Sequence, residues 1–343
     1  MTEEFIQGNE VIAQAALDSG LGFFSSYPIT PASEIMHYLA GVEKKDFNFI
    51  QGEDEIASIN LCIGASLAGK KSMTATSGPG FSLMQESIGF AHVNRIPLVI
   101  VDSQRVGPST GMPTLPSQGD ILQTQHGSHG DYFQIVFYPN SVKELYKYTI
   151  EASNASEELS TPVILLSDAI LSQMYENINF SEEKNKIKIL PRKQKGLGND
   201  NKHITGLLSK NNIPKTRDSA YYREWFKNYK KDFEKISKKY KFYEYMENKK
   251  SDTLLIAYGI VSRAIYSLKK DYGIFRPITL FPILEDEIKK IAKDYKKIIV
   301  IEMNNGQYTS KLKEIFNEKI KSLPVLGGEI NIKLIKEKLK END

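Results

Sequence analysis

The 343-residue chain has one cysteine, Cys62. It can form no internal disulfide, and by itself it cannot supply the several thiolates that hold an iron–sulfur cluster or a thiolate zinc site. Any redox centre that works with this chain must sit elsewhere. Cys62 lies in the apolar run "INLCIGASLAG" and reads as a small buried hydrophobe, not a nucleophile. An excess of one charge sign is also missing. Lys plus Arg number 45 against 42 for Asp plus Glu, a net charge of +3, too small to call for a nucleic-acid or anionic-membrane partner. No apolar run reaches bilayer-spanning length, and the start, "MTEEFIQGNEV", lacks the basic and apolar blocks of a signal peptide. The expectation is a cytoplasmic protein. "SGPG" at 77–80 lacks the spacing and the Lys-Ser/Thr ending of a P-loop, which leaves little support for binding of a nucleotide triphosphate.

What is present alternates. "NEVIAQAALD" has helical apolar spacing and stops before Gly20, "GFFSSYP" reads as a strand, and "ITPASEIMHYLA" reads as a helix with Thr30 as N-cap and Pro31 in the first turn. "FNFIQ", "SMTATS", "IPLVIVDSQ", "FQIVFYP" and "TPVILLSD" follow as strands. Between them lie "DEIASINLCIGASLAG", predicted to be a helix with Ile56, Ile59, Ile63 and Leu67 on one face, a helix behind Gly80, and "SVKELYKYTIEASNA". Strands and helices alternating at this length predict an α/β fold, a doubly wound parallel sheet with helices on both faces. Ligands of such sheets gather at the carboxyl ends of the strands. "YPIT", "GEDE", "SGPG" and "SQRVGPSTG" all fall at that edge, the last as the start of a long Gly/Pro loop over 105–120.

The predicted division is 1–177 as the first domain, 178–250 as a linker with an amphipathic helix, and 251–343 as a second, smaller α/β domain. Asn, Lys and Gly dominate the start of the linker, over 178–215. Then Tyr222, Trp225, Tyr229, Phe233, Ile236 and Tyr240 recur every three or four residues, an aromatic stripe expected to dock on its own chain.

Three residues at the ligand edge carry chemistry. Glu55 ends the acidic triplet "EDE", of which Glu53 or Asp54 suffices to cap the helix. It precedes an apolar helix that would enclose its carboxylate, and a buried carboxylate holds its proton to higher pH and can share it with a ring nitrogen. Arg105 follows a buried strand, and its fork suits a substrate carboxylate. His126 and His129 in "HGSHGD" have spacing a metal could use but no accompanying acids or thiols, so a hydrogen-bonding loop is expected and no metal site.

Read in order, "YPITPASEI", "EDEIASINLCIGASLAG", "TSGPGFSLMQE" and "RVGPSTGMPTLPSQGDI" resemble the alpha subunit of 2-oxoacid:ferredoxin oxidoreductases. The likeness runs on through "GSHGDYFQIVFYPNSVKEL", "FRPITLFP" and "VIEMNNGQ", leaving about 178–250 poorly matched. The resemblance implies a thiamine diphosphate enzyme in which this chain supplies the pyrimidine-binding domain, followed by a transketolase C-terminal-like domain. The family's cofactor glutamate falls on Glu55, which would hydrogen-bond N1′ of the aminopyrimidine. Ser77, Gly78, Pro79 and Gly80 resemble the loop beside that ring system. Thr30 matches the family's substrate or coenzyme A contact, with Tyr27 and Pro28 near the cofactor, and Arg105 matches the arginine that holds the substrate's 1-carboxylate.

The chain lacks the "GDG" and following Asn pair that bind magnesium and diphosphate in this superfamily, and any ferredoxin-like cysteine cluster. The resemblance places Mg2+ and [4Fe-4S] clusters on a beta subunit or on further gamma and ferredoxin-like delta subunits, with coenzyme A as co-substrate and ferredoxin as acceptor. "RVGPSTGMPT" looks like the 2-oxoglutarate type. A branched-chain 2-oxoacid or pyruvate enzyme, or a non-catalytic scaffold paralogue, is the alternative.

Overall fold

A computed structural model describes residues 3–193 and 204–342. Part of the Asn/Lys/Gly stretch expected over 178–215 lies outside the described residues. The main sheet runs, in spatial order, Thr279–Phe281, Ile135–Phe137, Pro162–Asp168, Leu98–Val106, Ser72–Thr76, Phe23–Ser26 and Asn48–Gln51, and all neighbours are parallel except the first pair. Helices such as Ser33–Ala40, Glu55–Leu67 and Val142–Leu159 are the crossovers that parallel pairing requires. The interior strands Leu98–Val106, Ile135–Phe137 and Pro162–Asp168 hold long apolar runs because both faces are covered, whereas the edge strand Asn48–Gln51 is largely exposed.

The second sheet runs Tyr243–Met246, Gly273–Pro277, Thr253–Ile256, Lys297–Glu302 and Ile320–Pro324, parallel except for its first strand. Two pairings cross the expected divisions. Thr279–Phe281, which follows Gly273–Pro277 directly, leaves the second sheet and adds antiparallel to Ile135–Phe137 of the main one. Tyr243–Met246, expected in the linker, adds antiparallel to Gly273–Pro277 of the second sheet.

The aromatic stripe packs on its own chain. In the helix Ser219–Ser237, Tyr229 and Phe233 are buried, Phe133 stacks on Phe233 at 5.1 Å, and the Tyr229 hydroxyl meets His92 Nδ1 at 2.8 Å. Cys62 is buried with its thiol on the Met73 carbonyl, and burial pushes it up to about 12, so it is inert as expected.

Four local readings need correction. The helix after "YPIT" begins at Ser33 behind Ala32, since a turn closed by Ala32 N–H on the Ile29 carbonyl delays it, and Thr30 is not its cap. The buried face of Glu55–Leu67 is Glu55, Ser58, Ile59, Cys62, Ile63 and Ser66, while Ile56 is 46% exposed. The apolar spacing misplaced that face because its buried members include a carboxylate and two serines. Gly78-Pro79-Gly80 is the first turn of a helix, Gly78–Leu83, and not a loop before one. The stretch 105–120 holds a strand, Met112–Pro116, paired antiparallel with the end of Leu98–Val106.

Candidate active site

The strand Leu98–Val106 changes character part-way. Leu98 to Val101 are apolar, then Asp102, Ser103, Gln104 and Arg105 are polar or charged and still buried. A buried polar run at a strand's carboxyl end needs partners: Ser103 meets Ser172, Gln104 meets Ser167 and Asp120, and Arg105 meets Thr30.

Arg105 Nη1 donates to the Thr30 carbonyl at 2.7 Å, joining two of the expected site residues through backbone and not through the Thr30 hydroxyl. Its Nε is buried without a partner, a donor left for something other than this chain. Glu55 opens its helix just after Asp54, whose side chain caps it through Ala57 N–H at 2.6 Å. Burial pushes the Glu55 carboxyl above its ordinary range, helped by Asp54 and opposed by its own backbone N–H and by Arg105.

Gly80 lies against that carboxylate. A Cβ built there would sit 2.3 Å from Glu55 Oε1 and 2.2 Å from Thr76 Oγ1, so no side chain fits between the helix's first turn and the acid. A Cβ on Gly78 would meet Asp120 less tightly, 3.1 Å from Oδ2. Ser77 is buried with its hydroxyl unpartnered.

Gly78, Pro79 and Arg105 line a cleft of about 710 Å³, a volume suited to a small-molecule ligand. Its far wall is the second domain, with Asn304, Gln307 and Gly327–Gly328. Gln118 fastens that wall. Its Nε2 donates to the Tyr258 carbonyl at 2.9 Å, its Oε1 accepts from Met303 N–H at 2.9 Å, and its carbonyl takes Asn304 Nδ2 at 2.7 Å.

The structure thus gathers Glu55 with Gly80, Arg105 with Thr30, and Arg105 with Gly78 and Pro79. Tyr27 and Pro28 follow the strand Phe23–Ser26, with Tyr27 40% exposed, and neither lines this cleft. No group of three or more His, Cys, Asp or Glu among the described residues could hold a metal ion.

Sequence reasoning gave no role to Asp102, Gln104, Gln118 and Asp120. The signal for Asp102 was an acid inside a buried apolar strand. Gln104 lies two residues on in the same strand, and Gln118 and Asp120 sit in "PSQGDI", with partners far away in sequence.

Residues 14–249 match the thiamine diphosphate-binding domain of pyruvate flavodoxin/ferredoxin oxidoreductases, and 251–331 match core domain II of pyruvate:ferredoxin oxidoreductase. The chain belongs to this oxidoreductase family. It is 40% identical over 337 residues to the 2-oxoglutarate synthase subunit KorA of Archaeoglobus fulgidus, covering 96% of each chain. It is 39% identical to the protein of that name from Methanocaldococcus jannaschii, covering 96% of this chain and 97% of the other. It is also 33% identical to the ketoisovalerate oxidoreductase subunit VorB of Methanothermobacter thermautotrophicus, over 99% of this chain and 98% of that one.

Among solved structures, the 2-oxoglutarate:ferredoxin oxidoreductase of Magnetococcus marinus, solved with 2-oxoglutarate, coenzyme A and succinyl-CoA bound, superposes with a TM-score of 0.91 at 31% identity. The match covers 99% of this chain and 65% of that one. A split-gene transketolase shares the fold, at TM-score 0.58 and 14% identity. The α/β architecture read from the family's motifs, a thiamine diphosphate-binding domain followed by a smaller α/β domain, is therefore the one present.

Proposed function

We propose that this chain is the alpha-type catalytic subunit of a 2-oxoglutarate:ferredoxin oxidoreductase, which converts a 2-oxoacid, coenzyme A and oxidised ferredoxin to the acyl-CoA, CO2 and reduced ferredoxin. The observation that carries the reading is the buried carboxylate of Glu55 pressed against Gly80. It is an acid with raised proton affinity in a cradle that any side chain at position 80 would fill. Those features fit one edge of an aminopyrimidine. When bound, thiamine diphosphate would supply a nucleophilic carbon and an electron sink for decarboxylation.

The protein's own residues then have separate tasks. Glu55 would hold a proton at the ring nitrogen, which its burial favours. Gly78, Pro79 and Gly80, with Ser77 behind them, would form the wall against the ring. Tyr27 and Pro28 would border the cofactor from the adjacent strand end. Arg105, steadied by the Thr30 carbonyl, would clamp the substrate's 1-carboxylate and so orient the keto carbon. The Thr30 hydroxyl remains free to meet substrate or coenzyme A.

In this reading thiamine diphosphate is shared with a beta subunit that binds its diphosphate through Mg2+. The [4Fe-4S] clusters also reside on partner subunits, beta and a ferredoxin-like delta, with gamma completing the assembly. The substrate choice rests on the higher identity to the two 2-oxoglutarate synthase subunits than to the ketoisovalerate subunit. We assign 1–177 to cofactor binding, 178–250 to the linker and 251–343 to the second domain, and we place the protein in the cytoplasm. No helix among the described residues is long and apolar enough to cross a membrane.

The test is anaerobic purification of the assembled enzyme and viologen reduction with 2-oxoglutarate, pyruvate and 2-oxoisovalerate. Activity on 2-oxoglutarate that falls by about 10²-fold or more in Glu55→Gln, with assembly intact, is expected. Preference for 2-oxoisovalerate or pyruvate would move the substrate assignment. Unchanged turnover in Glu55→Gln would leave the scaffold reading.

A further inference from the structure

A pair of acids, Asp120 in the cleft lining and Asp102 buried behind it, has no part in the chemistry above. Asp102 is fully buried, and neither of its carboxylate oxygens meets an N–H or O–H donor of the chain. Asp120 Oδ2 is buried and equally without a donor. What Asp102 does meet is Asp120, carboxyl to carboxyl, within hydrogen-bonding reach.

Gln104, on the same face of the strand as Asp102, brings them together. Asp102 and Gln104 stand two apart in Leu98–Val106, on one face. Gln104 Oε1 accepts the Asp120 N–H at 3.1 Å, which draws the Asp120 side chain toward Asp102. Across the sheet Asp102 is in register with Thr76, the residue that with Gly80 borders Glu55. Two carboxylates cannot both stay charged at hydrogen-bonding distance in a dry site, and a carboxyl–carboxylate bond needs one proton.

We propose that Asp102 and Asp120 share one proton, and that the charge left on Asp120 tunes the affinity of Arg105 for an anionic substrate. The proposal rests on the reading of Arg105 as the carboxylate clamp. Arg105 and Asp120 are the charged residues of the cleft lining among the described residues, and each feels the other's charge. Arg105 is steadied by the Thr30 carbonyl, so Asp120 acts on it as a counter-charge.

Other elements around the pair bring few charges. Glu55 acts on Arg105, Tyr138 lies in the field of Asp102 with its hydroxyl on Asp168, and the second-domain wall offers the neutral Asn304, Asn305 and Gln307. Burial keeps Asp102 protonated well above the carboxylate range and pushes Asp120 up to about 6, against the opposing pull of the Asp102 hydrogen bond and of Arg105. Asp120 is thus ionised at neutral pH and protonated below about 6, where Arg105 stands unopposed. A dianionic 2-oxoacid feels this more than a monoanionic one.

The experiment measures KM for 2-oxoglutarate and pyruvate from pH 5 to 8 on the assembled enzyme. Wild type should show KM for 2-oxoglutarate rising roughly fivefold through pH 6, the size of one charge felt across a solvent-bordered cleft, and a smaller step for pyruvate. Asp120→Asn should abolish the step and hold KM at the low-pH value. Asp102→Val, which removes the donor that keeps Asp120 ionised, should move the step to higher pH, and Asp102→Asn, which keeps a donor, should not.

Independently of activity, the infrared difference spectrum of wild type minus Asp102→Asn at pH 7.5 should contain the carbonyl band of a protonated carboxyl. A step retained in Asp120→Asn, a KM raised at every pH, a missing carboxyl band, or a tightly held cation in elemental analysis would each overturn the proposal. If Arg105→Gln leaves KM unchanged, the clamp reading fails and the tuning role with it, while the infrared band still reports whether the proton is shared.

Discussion

Replacing Gly80 with alanine tests the site at its tightest point. The added Cβ would lie 2.2 Å from Thr76 Oγ1, 2.3 Å from Glu55 Oε1 and 2.5 Å from Glu55 Cγ. Ordinary contact begins near 3.4 Å, so about 1 Å of movement is needed. The backbone at Thr76 lies in a fully buried strand and the helix turn is packed through the buried Phe81, so the Thr76 and Glu55 side chains are the parts that yield. A shift of that size in a positioned catalytic group costs roughly 10²-fold in turnover.

Overpacking should also lower stability by about 1–3 kcal/mol. The assay is viologen reduction by the assembled enzyme, read beside thermal unfolding and thiamine diphosphate affinity. Gly64→Ala is the control, because Gly64 lies on the same helix as Glu55 with no atom within 4 Å of its added Cβ. It should keep activity and gain up to about 1 kcal/mol from helix propensity. A Gly80→Ala enzyme with wild-type turnover would refute the placement of Glu55 at the reacting edge.

Arg105→Gln should raise KM for the 2-oxoacid by roughly 10- to 100-fold through loss of a charge-assisted contact, with a smaller change in turnover, measured by steady-state kinetics. Tyr229→Phe removes the hydroxyl that meets His92 Nδ1 and accepts the Phe133 N–H at 3.2 Å. It should destabilise by about 1–3 kcal/mol in denaturant unfolding while leaving substrate affinity unchanged. His92 is buried, and burial lowers it to about 4. An unfolded histidine takes up its proton near 6.5, so this contribution to stability is intact above that pH and is lost as pH falls from 6.5 toward 4. His92→Gln should flatten that acid limb of a stability–pH curve, and an unaltered limb would assign it to other groups.

Alternating apolar runs and helical spacings were enough to place the parallel sheet, because strands covered on both faces must be apolar whatever their neighbours. Ordered motifs at the strand ends pointed to Glu55, Arg105 and the Gly-Pro-Gly turn, since a sheet of this type presents its carboxyl ends together. Local chemistry also marked Glu53 or Asp54 as the cap, which is Asp54, and Cys62 as core.

What pairs with what was decided only in three dimensions. Thr30 read as a cap from its neighbours, yet its carbonyl holds an arginine 75 residues away. Gln118 bridges to Tyr258 and Met303, 140 and 185 residues on. The strand Thr279–Phe281 left its own domain's sheet to extend another. Asp102 and Asp120 became a pair because a side chain's charge depends on who shares its desolvated space. Periodicity reports which face of an element is buried, and long-range packing alone determines the partner buried against it.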